Sequence, residues 1–319
     1  MADPSGTLSR SGLIFGLIAY TWWGLVPLYF RQIKDVPPLE ILAHRIVWSM
    51  GLLTGVMLLV GGWGELVRVL KSRKLVLTLL LSAVLLAANW LLYIYATVTG
   101  RVAESSLGYY MMPLVNAFLA TIFLKEKLRP AHYPALAMVA IGVAVPMVTI
   151  GAGWIAILLP VLFGFYTLVR KLVAVESFVG LTVETLLLLP LSLGWLTWLG
   201  VNNELHFGRD ANLNGLLVMS GIITVVPLLA FTLSIRRLPL LTISFIQFFS
   251  PTMQFLVALY WNGEVMEPAQ WVAMGCVWVA VVIFIGDAIL QTYAKRNRAS
   301  AERDLHRVPS TLTAAVRSR

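Results

Sequence analysis

Glu40, His44 and Arg45 fall inside a single apolar run of this 319-residue chain. An ionisable group at membrane depth costs roughly 2.5–3.5 kcal/mol on insertion scales, so it is kept for pairing or for function. Glu40 and His44 are one helical turn apart and share a face, which Gly51 and Gly55 continue. Arg45 stands on the adjacent face, and its planar fork suits an anionic ligand group or a partner carboxylate. Glu184 lies in another apolar run. Partly desolvated there, a carboxylate or the His44 imidazole is a candidate for proton coupling. The uncharged polar residues form stripes. Ser105, Tyr109, Met112 and Asn116 recur at helical spacing, as do Gln247, Ser250 and Gln254, while Asn89 and Tyr93 make a third pair. Amides at membrane depth must face protein or water. Lining a substrate cavity and bonding helix to helix both satisfy that need. Trp22, Trp23 and Trp90 are suited either to stack an aromatic solute or to pack.

The elements that carry these residues must be membrane helices. Hydrophobic residues make up 59% and charged residues 12%, with a mean hydropathy of +0.84, whereas soluble domains carry roughly 25% charged residues. Apolar runs of spanning length fall at 12–30, 39–60, 75–95, 103–124, 131–149, 154–172, 179–200, 212–234, 241–261 and 268–290, joined by short polar connections. With the N-terminus inside, nineteen Lys and Arg face the cytoplasm and four face outward. That bias places both termini in the cytoplasm. The first run has no cleavage site after it and reads as a retained helix. Residues 291–319 read as a basic, disordered tail. The net charge of +9 sits in loops and tail, not on a nucleic-acid-binding face, and suits anionic lipid. Cys276 and four scattered histidines make no metal site.

An internal repeat divides the runs. At one constant offset Pro113 meets Pro251, Asn116 meets Gln254, Glu126 meets Glu264 and Pro130 meets Pro268, with Tyr109 on Gln247. At a nearly equal offset Gly24 meets Gly164 and His44 meets Glu184. Five spans per half is odd, so the second half must insert upside down. The expected fold is all-α, about ten transmembrane helices as two inverted five-helix repeats (10–149 and 150–290).

Several stretches are distinctive: Trp23 to Phe30, Glu40 to Ser49 with Ala43-His44-Arg45, Asn89 to Tyr93, Glu104 to Tyr109, Pro113 to Asn116, Glu184 to Leu187, and Arg236 to Leu240. Through them the chain resembles the RarD branch of the EamA-type permeases, in the drug/metabolite transporter superfamily, over about residues 10–290. The resemblance implies ten helices in two inverted halves, placement in the bacterial inner membrane and permease activity. The branch label, chloramphenicol-sensitive protein, points toward drug-like solutes. Ser244 and Phe248 stand where the branch leads one to expect glycine and tyrosine.

The expected function is therefore a non-enzymatic permease for small metabolites or drug-like solutes, working by alternating access and needing no cofactor. Its cavity would be lined by spans two, three, four, seven and nine, through Arg45, His44, Glu184, Asn89, Trp90, Tyr93, Tyr109, Asn116, Gln247 and Gln254. Its partners would be a small-molecule substrate and membrane lipid, with a homodimer left open. Two rivals are an intramembrane enzyme acting on lipid or isoprenoid substrates and a non-transporting scaffold. The first would need paired carboxylates or a metal-ligand motif, the second a soluble domain or a long binding loop.

Overall fold

The computed structural model describes residues 9–99, 102–149, 153–260 and 267–306, and every element within them is an α-helix. In chain order these are α1 (Arg10–Gln32), α2 (Pro38–Val60), α3 (Trp63–Lys71), α4 (Arg73–Val98), α5 (Val102–Phe123) and α6 (His132–Thr149). There follow α7 (Trp154–Leu172), α8 (Ser177–Val201), α9 (Ala211–Ile235), α10 (Leu240–Ile246), α11 (Phe249–Tyr260) and α12 (Pro268–His306). Seven of them (α1, α2, α4 and α6 to α9) are long and apolar enough to cross a membrane, and α5 and α12 add shorter apolar stretches. Local chemistry sets their starts. Ser9 Oγ accepts Gly12 N–H at the head of α1, and Asp210 Oδ2 accepts Leu213 N–H at 2.7 Å at the head of α9. Pro38 opens α2, where its missing N–H costs nothing.

Three elements depart from the sequence expectation. The connection after α2 is not an open loop but the amphipathic helix α3, which buries Leu66 and Val69 and exposes Arg68 and Lys71. The run at 241–261 is not one helix but two, α10 and α11. Pro251 has no N–H to return to the Gln247 carbonyl, and that oxygen instead accepts Ser250 N–H at 3.1 Å, closing a tighter turn. The segment from 291 is helical as far as His306, because Ala, Lys, Arg and Glu are strong helix formers. Gly51 and Gly55 continue no site; they are exposed, with nothing within 4 Å of an added Cβ.

Helix α1 packs along α9 and α11, α4 and α5 pack along α7, α2 lies between α8 and α9, and α6 runs along α12. Small residues set the closest approaches. A Cβ at Gly24 would lie 2.5 Å from Met253 Cβ, and one at Gly164 would lie 2.9 Å from Val115 Cγ1. One at Gly16 would meet the Ile246 side chain, and one at Gly108 would lie 3.2 Å from the Ala156 carbonyl.

Candidate functional site

A cavity of about 640 Å³, counting its mouth, lies at the centre of the bundle. Helix α1 supplies Tyr20, Trp23, Val26 and Phe30; α2 supplies Arg45; and α4 supplies Asn89, Trp90 and Tyr93. The rest comes from Tyr109 and Met112 of α5, Phe163 of α7, and Gln247, Ser250 and Pro251 at the break between α10 and α11. Rings form most of the wall. Tyr93 meets Tyr109 edge-on at 5.6 Å between centroids, and Trp23 meets Phe163 at 5.8 Å. The first-helix residues follow from α1 lying between α9 and α11.

Arg45 is the charge in this wall. It is 5% exposed, and its Nε donates to Thr224 Oγ1 of α9 at 3.0 Å. Its Cζ sits 4.1 Å from the centroid of the Trp90 ring and 5.6 Å from that of Phe30, a cation–π cage that holds a desolvated guanidinium without neutralising it. No ion pair joins a carboxylate to Arg45 among the described residues.

The amides are engaged within the protein. Asn89 Nδ2 donates to the Leu159 carbonyl of α7 at 2.9 Å, tying α4 to α7 beside the cavity. Gln247 Nε2 donates to Met112 Sδ, and Gln247 Oε1 accepts Asn116 Nδ2 at 3.3 Å. Asn116 therefore lies one layer behind the lining residues, bonded to Gln247. The side chain of Gln254 lies outside the described residues.

Two expected cavity residues stand elsewhere. Glu184 lines a second, smaller space of about 350 Å³ between α2, α4, α8 and α9. There it accepts Ser82 Oγ at 2.5 Å and faces Arg170 Nε at 3.5 Å, both charged side chains being almost fully buried. The Arg170 guanidinium lies against Gly180, where a Cβ would come within 2.2 Å of Nη1. Trp90 borders both spaces. His44 turns away from the cavity and lies against the Phe207 ring at 5.1 Å, with its Nε2 3.8 Å from Glu40. Spans one and six thus join the cavity wall, and span seven does not.

Several contributors were not anticipated from sequence. His206, on the loop before α9, is not an idle exposed residue. Its backbone N–H donates to Glu40 Oε1 at 2.7 Å and its Nδ1 lies 2.8 Å from Glu40 Oε2, so the loop is clamped onto the start of α2. Glu40 is fully buried beneath it. His132 is likewise buried, against Phe245 and Phe284. Tyr20, Phe163, Thr224 and Ser82 also carry no spacing signal of their own. For Phe30 and Arg170 a signal did exist, since they are related by the same offset as His44 and Glu184.

Known proteins resemble this chain along most of its length. The model of the EamA-like transporter family matches residues 10–148. Protein RarD of Salmonella typhimurium is 41% identical over 292 residues, covering 91% of this chain and 98% of the relative. A Vibrio cholerae protein named as a transporter is 37% identical over 295 residues, covering 92% of this chain and 98% of the relative. A solved crystal structure, 18% identical, covers 86% of this chain and 98% of its own with a TM-score of 0.66, a likeness of fold alone. Long apolar helices around a cavity and full-length relatives of this identity lead to one conclusion: the chain belongs to the EamA-like transporter family, as a multi-pass membrane permease of the RarD type.

Proposed function

We propose that the protein is a solute permease of ten spans, built from two inverted five-helix halves (10–149 and 150–290) with both termini in the cytoplasm of a bacterium's inner membrane. It moves small metabolites or drug-like solutes by alternating access and catalyses no reaction. The observation that carries this reading is a correspondence between packing contacts. The offset that relates Gly24 to Gly164 also relates Gly16 to Ala156, and the companion offset relates Val115 to Met253 and Gly108 to Ile246. The close contacts Gly24–Met253 and Gly16–Ile246, between the first and ninth spans, thus have the counterparts Gly164–Val115 and Ala156–Gly108, between the sixth and fourth. Likewise α1 lies on α9 as α7 lies on α4. Two halves that pack on each other by interchangeable contacts can exchange conformations, which opens a shared cavity first to one side and then to the other.

Arg45 anchors the solute electrostatically, and Asn89, Trp90, Tyr93, Tyr109 and Gln247 shape and orient its seat. His44 and Glu184, outside that seat, are the groups through which proton coupling would act. The test is transport by the purified protein in proteoliposomes against a panel of metabolites and drugs. Protein-dependent flux of at least one solute is expected, lost in Arg45→Ala while the thermal melt stays near that of the parent. No flux across the panel overturns the permease reading, and unchanged flux in Arg45→Ala removes Arg45 from it.

A further inference from the structure

Resting on the permease reading, the cavity's chemistry also narrows what it carries: we infer that the preferred substrate is an aromatic monoanion, a flat ring bearing one carboxylate and no ammonium group. Three observations carry the inference. The first is charge. Arg45 is the cavity's ionic side chain among the described residues, and no described Asp or Glu lines the space with it. Two buried acids on neighbouring helices are engaged elsewhere: Glu40 is held by His206, and Glu184 by Arg170 and Ser82. A guanidinium kept at membrane depth without an acidic neighbour gains most from a ligand that brings its own carboxylate. Only its Nε has a protein acceptor among the described residues, which leaves the terminal nitrogens to form the paired donors that a carboxylate takes.

The second is the wall. Trp23, Trp90, Tyr93, Tyr109 and Phe163 present rings around the charge, and rings stack or meet edge-on with another ring of about their own size. The third is Tyr20, 1% exposed, which lines the cavity and whose hydroxyl has no hydrogen-bond partner among the described residues. A buried hydroxyl of this kind is completed by a polar atom on the ligand. An amine or a zwitterionic amino acid fits less well. Its ammonium would lie beside the guanidinium with no carboxylate among the described wall residues to take it, a like-charge neighbour in a region of low dielectric.

Four probes of one skeleton separate these possibilities: phenylacetate (anion), phenylacetamide (neutral), phenethylamine (cation) and phenylalanine (zwitterion). Tritiated phenylacetate is bound to the full-length protein in lipid nanodiscs, and the other three are tested as competitors. Phenylacetate is expected to bind at least tenfold more tightly than any of the others. The ranking in the unaltered protein needs no variant. Arg45→Gln, checked for an unchanged melt, should bring phenylacetate down to the level of phenylacetamide. Phenethylamine or phenylalanine binding as well as phenylacetate would overturn the inference, as would no binding of phenylacetate. Counterflow of the same probes in proteoliposomes separates the two layers of the argument. Phenylacetate bound but not moved sinks the permease reading and leaves the class intact. Phenethylamine moved in preference to phenylacetate sinks the class and leaves the permease.

Discussion

Gly221→Ala should wedge α2 away from α9. A Cβ there would lie 2.7 Å from the carbonyl carbon and oxygen of Trp48 and 3.0 Å from Ser49 N. Non-bonded carbons settle at about 3.5–4.0 Å, so the helices must part by about 1 Å. The obstacle is backbone, which cannot swing aside as a side-chain tip can. Thr224 lies one turn along α9 from Gly221 and accepts Arg45 Nε at 3.0 Å, so the same movement takes that bond beyond hydrogen-bonding reach. Overpacking costs about 1–3 kcal/mol, and loss of a bond from a charged donor adds about 1.5–3 kcal/mol. Tilting of the helices relieves part of this, leaving a destabilisation on the order of 2–4 kcal/mol. At about 2–4 °C per kcal/mol, the melt should fall on the order of 5–10 °C. Intrinsic tryptophan fluorescence during heating in nanodiscs reads the change. Gly55→Ala on α2 is the control, because its Cβ meets nothing within 4 Å, and a helical glycine exchanged for alanine should hold or raise stability. A Gly221→Ala melt within about 1 °C of the parent, or a Gly55→Ala melt that falls as far, would refute the argument.

The buried Arg170–Glu184 pair should behave as a lock: Glu184→Ala strands the guanidinium and costs about 3–5 kcal/mol, while replacing both by Met recovers most of the loss. Equal melts for the single and double variants would dissolve the pair. His206→Ala removes the imidazole contact and keeps the backbone bond to Glu40, so it should loosen the loop before α9, read as faster maleimide labelling of Phe207→Cys in a Cys276→Ser background. A rise of about tenfold corresponds to ~1.4 kcal/mol of lost clamping, and an unchanged rate would mean that the imidazole contact contributes nothing. Arg209→Cys should react with a membrane-impermeant maleimide in intact cells and Lys127→Cys only after permeabilisation; the reverse result would turn the proposed orientation over.

What the sequence discloses here depends on how local the cause is. Apolar runs are local, and each one sought between 12 and 290 lies on a helix. The break at Gln247 has a local contributor in Pro251, which lacks the N–H that would bond the Gln247 carbonyl. Yet Pro27, Pro113, Pro146, Pro160, Pro190 and Pro227 sit inside unbroken helices, so tolerance depends on neighbours that a single segment does not reveal. Of the polar stripes, Asn89, Tyr93, Tyr109 and Gln247 lie beside one space with Arg45 and Trp90. The stripes could not tell a lining amide from one held behind the lining, and Asn116 became the latter because Gln247 reaches it first. His206 was illegible because its partner, Glu40, lies 166 positions away and only the folded loop brings them within 2.8 Å.

The proposed repeat pairs the second span with the seventh and the third with the eighth. Arg45 on the second span takes a hydroxyl from the eighth (Thr224), and Glu184 on the seventh takes one from the third (Ser82). The offset that brings His44 onto Glu184 brings Arg45 onto Thr185, so the two charges stand on equivalent spans one residue out of register, and they are handled differently. Beside Glu184 the offset partner of Phe30 is Arg170, which neutralises the carboxylate at 3.5 Å. Beside Arg45 that place is held by Phe30, which stabilises the cation and leaves its charge unbalanced. On the proposed symmetry, one end serves as a lock and the other as the proposed ligand seat. Phe30→Glu should convert the seat into a lock. The new carboxylate would pair with Arg45, holding the melt near that of the parent while phenylacetate binding falls at least tenfold. Retained binding in a folded Phe30→Glu protein would show that the lone charge of Arg45 is not what the ligand reads.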